Sequence, residues 1–327
     1  MVARTVLLTG ATGFVGRHLR PALEASGRVV RSASRKPDQA KARWGDATWV
    51  AMDLANPDSI ARALRGCDEA VYLAHELEGA GDYGSREAAS AERFLRAAES
   101  TKLRRLVYLG GVIPTGPRSP HLESRFRTGV ILRGGKVSTI ELRSAMIIGH
   151  GSASFRLVRD LVVRLPVLLL PNWLEQPSCP IAIDDVVAAL LDALDLERTD
   201  SACFDLPGPE CITHLAFIER VARLVGTRCV CRQLRALTPD RAGRLLERLS
   251  AVSMPVTREL VRGLDCNLMS TLTSFWDVSG TNALRPIDLA ILDALKDETD
   301  PVRPSTTTRR RIVQRTLKHR APSGAVG

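Results

Sequence analysis

Val6-Leu7-Leu8-Thr9-Gly10-Ala11-Thr12-Gly13-Phe14-Val15-Gly16 runs from an apolar segment into three glycines spaced three apart, and on into a stretch carrying Leu19 and Leu23 at helical spacing. This is a strand, a tight turn and a helix. A glycine at the strand end permits the turn, the next lets backbone approach a pyrophosphate, and the third lets the helix pack against a sheet. Phosphates held there meet free N–H groups and the positive end of the helix dipole. Thr9, Gly10, Thr12, Gly13, Phe14, Val15 and Gly16 are therefore expected to form a dinucleotide cradle.

Downstream, β-rich apolar runs alternate with longer amphipathic stretches. Strands are predicted over Thr5–Thr9, Arg28–Ala33, Thr48–Met52, Glu69–Ala74, Arg105–Leu109 and Val137–Leu142, with helices over Gly13–Ser26, Pro57–Arg65, Ser85–Ser100 and Pro120–Arg133. The pattern specifies an α/β fold, a doubly wound parallel (Rossmann) sheet. Helices expected over Asp184–Leu196, Thr213–Val225 and Pro239–Leu249 belong to a smaller, mainly helical C-terminal substrate region. The expected division is 1–200 for nucleotide binding, 201–300 for the substrate region, and 301–327 for a basic, disordered tail.

The second strand leads into Ser34-Arg35-Lys36, where a cofactor with a free ribose 2′-hydroxyl would favour an acid. Arg35 instead suits adenine stacking and a 2′-phosphate, so NADP(H) is favoured over NAD(H). Asp53 and Leu54, closing the third strand, are expected at the adenine edge; Asp53 equally suits capping of the helix near Pro57.

Charge and cysteine content narrow the remaining classes. The net charge of +10 includes seven Arg or Lys residues and no acid after Asp300, which leaves +3 elsewhere. The tail reads as a solvated segment for which no specific nucleic acid is expected, anionic surfaces being the one contact its charge would favour. The apolar run Leu161–Pro171 holds Arg164 and Pro166 and is too short for a membrane span of about twenty residues; it reads as a helix end and loop. Seven scattered cysteines and a first strand at the start of the chain argue against disulfides and for a reducing cytoplasm. Cys229 and Cys231 read as strand alternation rather than a metal site.

These stretches resemble the short-chain dehydrogenase/reductase superfamily, in its atypical, NmrA-like and extended (epimerase-dehydratase-like) branches. The likeness rests on Thr9–Gly16, Asp53-Leu54, Ala70-Val71-Tyr72-Leu73-Ala74, Leu106–Gly111, Glu141–Gly149 and Pro180–Val186, and it implies cofactor contacts at the glycine loop, Asp53, Leu54 and Ala74. The superfamily's serine after the fifth strand is replaced by Gly110 and Gly111, and its Tyr-x-x-x-Lys helix is missing. The nearest counterpart is His121-Leu122-Glu123-Ser124-Arg125, behind Ser119 as N-cap and Pro120 as first helical residue.

His121 and Arg125, at i and i+4, share a helix face, as a proton donor and a ribose-holding cation would. Arg125 also disfavours the imidazolium and makes His121 the weaker donor. His75 and Tyr83 are alternative acids, and His150 is a pocket or turn residue. Arg143 is expected to pair with an internal carboxylate and Asp184 to cap a helix. The resemblance implies an NADP(H)-dependent oxidoreductase acting on a small apolar substrate. The alternative is a non-catalytic redox sensor or assembly factor that keeps the nucleotide as a structural element.

Overall fold

A computed structural model describes residues 3–45, 47–74, 83–114, 116, 118–165, 167–227, 229–234 and 267–296. In chain order the nucleotide-binding layer contains β1 (Thr5–Leu8), α1 (Phe14–Ala25), β2 (Val29–Ser34), α2 (Pro37–Trp44), β3 (Trp49–Ala51), α3 (Pro57–Leu64), β4 (Glu69–Tyr72), α4 (Tyr83–Glu99), β5 (Arg105–Gly111), α5 (Pro120–Arg133) and β6 (Thr139–Ser144). The chain continues with β7 (Ile147–Ile148), α6 (Ala153–Arg164), β8 (Val167–Pro171), β9 (Pro177–Ser178), β10 (Ile181–Ala182), α7 (Ile183–Asp195) and β11 (Ala202–Leu206). Then come β12 (Ile212–Thr213), α8 (His214–Val225), β13 (Val230–Leu234), α9 (Phe275–Ser279) and α10 (Ile287–Lys296).

Seven parallel strands form one sheet in the order β11-β6-β5-β4-β1-β2-β3. The order reverses between β1 and β4, the switch point at which open α/β sheets bind ligands beyond their strand ends. This is the doubly wound fold expected from the sequence. Side-chain alternation decides which helices cover each face: Val6 and Leu8 pack with Leu19, Leu23, Val186 and Leu190 of α1 and α7. Leu7 points the other way, into a cluster with Ile60, Leu64, Phe94 and Leu132 of α3, α4 and α5. A third cluster unites α6, α8 and α10 into the smaller second region.

At the opposite end of the strands, the fully buried carboxylate of Glu69 is held by Arg4, Arg28 and Arg104. Glu141, inside the sheet, pairs with Arg143 at 2.8 Å and Arg133 at 2.6 Å. The expected internal partner of Arg143 is therefore Glu141. Each carboxylate is compensated by more than one guanidinium, as buried charge requires.

Several expectations need correction. Helix α2 lies where none was predicted; it buries only Ala40, so its apolar period is faint. The segment after Arg164 is a strand rather than a loop, because Val167–Pro171 pairs in parallel with Val230–Leu234. That pairing also places Cys231 in a strand. Asp53 does not cap α3: Asn56 does, accepting from Asp58 N and Ser59 N, while Asp53 Oδ1 accepts from Ala55 N in a local turn. Asp184 does not cap α7, whose N-cap is Ala182. Ser119 does cap α5, accepting from Leu122 N at 3.3 Å.

The argument against disulfides also fails, since Cys179 and Cys211 are bridged across 32 residues of sequence. The cause is local: β9 and β12 pair antiparallel with Ile212 opposite Ser178 and Thr213 opposite Pro177, and the next step of that register sets the two cysteines face to face. Among the described residues no helix is long and apolar enough to cross a membrane. The edge strand β11 lies just past residue 200, and the helix expected at Pro239–Leu249 and the tail after Asp300 lie outside the described residues.

Candidate dinucleotide site

The glycine loop is shaped by close backbone contacts at the switch point. Gly10 has φ +63°, a left-handed conformation, and a Cβ there would lie 3.0 Å from the backbone of Leu73. At Gly16 a Cβ would stand 2.3 Å from the Gly10 carbonyl oxygen, so α1 can approach the turn only without a side chain. Gly13 is the N-cap of α1 and offers no side-chain cap, and the first turn carries no acid. The N–H groups of Phe14, Val15 and Gly16 thus begin the helix without an intrahelical acceptor, directed with the dipole toward the space above the strand ends.

Thr9 holds this arrangement together. It is fully buried, and its Oγ1 accepts from Leu73 N at 2.9 Å and Ala74 N at 3.2 Å. One hydroxyl thereby ties the exits of β1 and β4, the two strands that flank the crevice. Over α1 lies the loop Gly149-His150-Gly151, following β7: His18 Nε2 donates to the His150 carbonyl at 3.0 Å, and Phe14 meets His18 edge to face. A Cβ at Gly149 would stand 3.0 Å from Phe14 and 2.6 Å from Ile183. His150 therefore contributes backbone to a roof over the first turn of the helix.

Beside the loop, a cleft at the α4–α5 side of the sheet is lined by Leu54, Tyr72, Ala74, Glu87, Tyr108 and Arg125, among others. Three residues singled out in the sequence, Leu54, Ala74 and Arg125, meet here. Arg125 Nη2 donates to the Leu109 carbonyl at 3.0 Å, and Tyr108 Oη donates to the Arg125 carbonyl at 3.1 Å. Burial pushes the Tyr108 phenol well above its usual range, so it remains a neutral donor. The guanidinium is thus locked to the end of β5.

His121 sits one turn earlier on α5, half-buried and outside this cleft. A Cβ at Gly111 would make only ordinary 3.5 Å contact with Arg125, whereas one at Gly110 would press on Glu141 and Tyr108 at 3.0 and 3.2 Å. Arg35 is exposed just beyond β2, and Asp53 is exposed beyond β3. His75 and the Tyr83 side chain lie outside the described residues. Sequence reasoning missed Glu87, whose buried carboxylate accepts from Ser124 Oγ between α4 and α5. Its signal was an acid whose neighbours at helical spacing, Ser90 and Ala91, are small.

Comparison with known proteins agrees with this geometry. An NAD(P)H-binding family model matches residues 10–127. Among curated proteins, the chain is 29% identical over 194 residues to a ceramide reductase of Caulobacter vibrioides, a stretch covering 57% of this chain and 59% of that one. It is 25% identical over 111 residues to the auxiliary protein GraX of Staphylococcus aureus, covering 32% of this chain and 36% of that one. The matches thus span less than two thirds of either relative.

Among solved structures, the Citrobacter sp. triphenylmethane reductase complexed with NADP(H) superposes with a TM-score of 0.69 at 15% identity, over 89% of this chain and 99% of that one. MoeE5 in complex with UDP-glucose and NAD gives 0.68 at 17%, over 94% and 99%. The chain shares the Rossmann fold of these structures, and its residues 10–127 match the NAD(P)H-binding family model.

Proposed function

We propose that this protein is an NADP(H)-dependent oxidoreductase acting on a small, apolar substrate held between the strand ends and the C-terminal helices. The observation that carries the reading is the placement of Arg125, held by the Leu109 carbonyl at the end of β5 in the same cleft as Leu54 and Ala74. The Gly10–Gly16 backbone fits a pyrophosphate, Leu54 and Ala74 fit the adenosine side, and Arg125 fits a ribose hydroxyl or phosphate oxygen. The bound nicotinamide supplies or accepts the hydride. The chain's task is to orient it, exclude water and move one proton, for which His121, one turn before Arg125 on α5, is the candidate donor. The names of a ceramide reductase and a triphenylmethane reductase among the similar proteins agree with reduction of apolar molecules.

A second reading is favoured by Gly110 and Gly111 where related enzymes carry serine, and by the missing tyrosine: a non-catalytic redox sensor or assembly factor that holds the nucleotide permanently. NADPH consumption measured against a panel of carbonyl and enone substrates separates the two. Turnover that falls on His121→Ala and on Arg125→Gln supports the enzyme. Tight nucleotide binding with no turnover across the panel, and a partner interaction that responds to nucleotide redox state, supports the sensor.

A further inference from the structure

The two ends of the Cys179–Cys211 bridge meet different surroundings. Cys179, between β9 and β10, is only 2% exposed, and its Sγ lies 3.9 Å from Met269 Sδ. Cys211, directly before β12, is exposed. A thiol arriving from solvent therefore meets the bridge first at Cys211.

Both flanks are pinned by contacts that do not depend on the bridge. On the Cys179 side, the Pro177 carbonyl accepts from Leu268 N at 3.0 Å, the Cys179 carbonyl from Gly208 N at 3.2 Å, and the Met146 carbonyl from Ile181 N at 2.9 Å. On the Cys211 side, His214 N donates to the Gln176 carbonyl at 3.2 Å, and the Glu210 carboxylate is held by Arg220 at 2.8 Å. The register of β9 and β12 sets the two Cα atoms 4.1 Å apart. Opening the bridge leaves these contacts in place, so each sulfur keeps a high local concentration about the other. The unbridged thiols Cys67 and Cys203 are poorer reactants: burial pushes Cys67 up, and burial with the Glu141 carboxylate pushes Cys203 up to about 12. The thiolate is the reacting form.

We propose that the bridge is a thiol-exchange site whose partner is a small thiol of the glutathione class, with Cys211 as the sulfur attacked and Cys179 as the leaving and resolving thiol. The incoming thiolate bonds to Cys211 Sγ as the bond between the two Sγ atoms breaks. The electron pair leaves on Cys179 Sγ, which takes up a proton, and the small thiol is carried as a mixed disulfide on Cys211. Attack by Cys179 on Cys211 then expels the small thiol and closes the bridge, with no net redox change. Attack by a second small thiol on the sulfur of the first releases their disulfide and leaves both cysteines reduced, two electrons having passed from two small thiols to the bridge. Access selects which sulfur is attacked, and an exposed bridge belongs to the exchangeable kind.

The test uses the full, oxidised chain, incubated with reduced glutathione at neutral pH, quenched with acid and mapped by peptide mass spectrometry, with circular dichroism to establish that it stays folded. The expected adduct is glutathione on Cys211 with Cys179 as a free thiol. Oxidised glutathione gives a second measurement on the single variants. It should modify Cys179→Ser at Cys211 at least about tenfold faster than it modifies Cys211→Ser at Cys179. The adduct should persist in Cys179→Ser, where the resolving thiol is gone, whereas the reduced, unmodified chain should pass through it and end with the bridge closed. An adduct on Cys179, equal rates for the two variants, or exchange that occurs only in denaturant overturns the assignment. So does an oxidised chain whose non-reducing peptide map lacks the Cys179–Cys211 crosslink.

Discussion

Thr9 Oγ1 lies 2.9 Å from the backbone nitrogen of Leu73 and accepts its proton, joining the exits of two strands that are 64 residues apart in sequence. The same oxygen accepts from Ala74 N, so two buried backbone donors depend on one hydroxyl. Thr9→Val keeps the volume and removes the acceptor. Leaving such donors unsatisfied costs about 1–3 kcal/mol. Denaturant unfolding should show that loss in Thr9→Val, while Thr9→Ser stays near the unmodified protein. Equal stability of all three proteins would contradict the tie.

The two glycines of the helix start differ in how much room they have. A Cβ at Gly16 would stand 2.3 Å from the Gly10 carbonyl oxygen, one at Gly13 3.1 Å from the same atom. Backbone cannot yield as a side chain can, so Gly16→Ala must displace α1 from the sheet. Gly16→Ala should weaken NADPH binding by about tenfold or more and destabilise the fold by roughly 1–3 kcal/mol. Gly13→Ala should cost less stability. Nucleotide titration paired with circular dichroism checks the order, and a milder Gly16→Ala would contradict it.

His214 opens α8 and is nearly fully buried, and burial alone lowers its pKa to about 4. The folded state therefore takes up its proton less readily than the unfolded chain, whose histidine titrates near 6.5. The stability this contributes is complete above about pH 6.5 and is lost as the pH falls toward 4, amounting to about 3 kcal/mol. His214→Leu should flatten the acid limb of a plot of unfolding free energy against pH. An unchanged limb would mean that other groups set it.

The Cys179–Cys211 bridge closes a loop across 32 residues. On the chain-entropy account it stabilises the fold by about 3–4 kcal/mol. Reductant should lower the unfolding midpoint of the unmodified protein and leave Cys179→Ser/Cys211→Ser unaffected. Cys203 offers a contrast, because burial and the carboxylate of Glu141 push its thiol up to about 12. Alkylation at neutral pH should leave it unmodified in the folded state.

The nucleotide half of the fold was legible because its signals are local. Gly10, Gly13 and Gly16 stand within seven residues, and the alternation of Val6, Leu7 and Leu8 states which faces of β1 are covered. Helix α2 was not legible, since burying Ala40 alone leaves almost no period to read. The bridge escaped because Cys179 and Cys211 meet only through the register of β9 and β12, and two-residue strands carry no pattern of their own. The i, i+4 spacing of His121 and Arg125 identified the helix face, and the fold put Arg125 alone of the pair in the cleft.

The Cys179–Cys211 bridge spans a segment that contains the whole of α7, packed on the central sheet, and of β11, the edge strand of that sheet. The segment 197–200 between those two elements carries exposed residues at Glu197, Thr199 and Asp200. A peptidase cutting there would open the backbone without releasing either piece. The severed ends would stay joined through sulfur, and the nick would show as two fragments only after reduction.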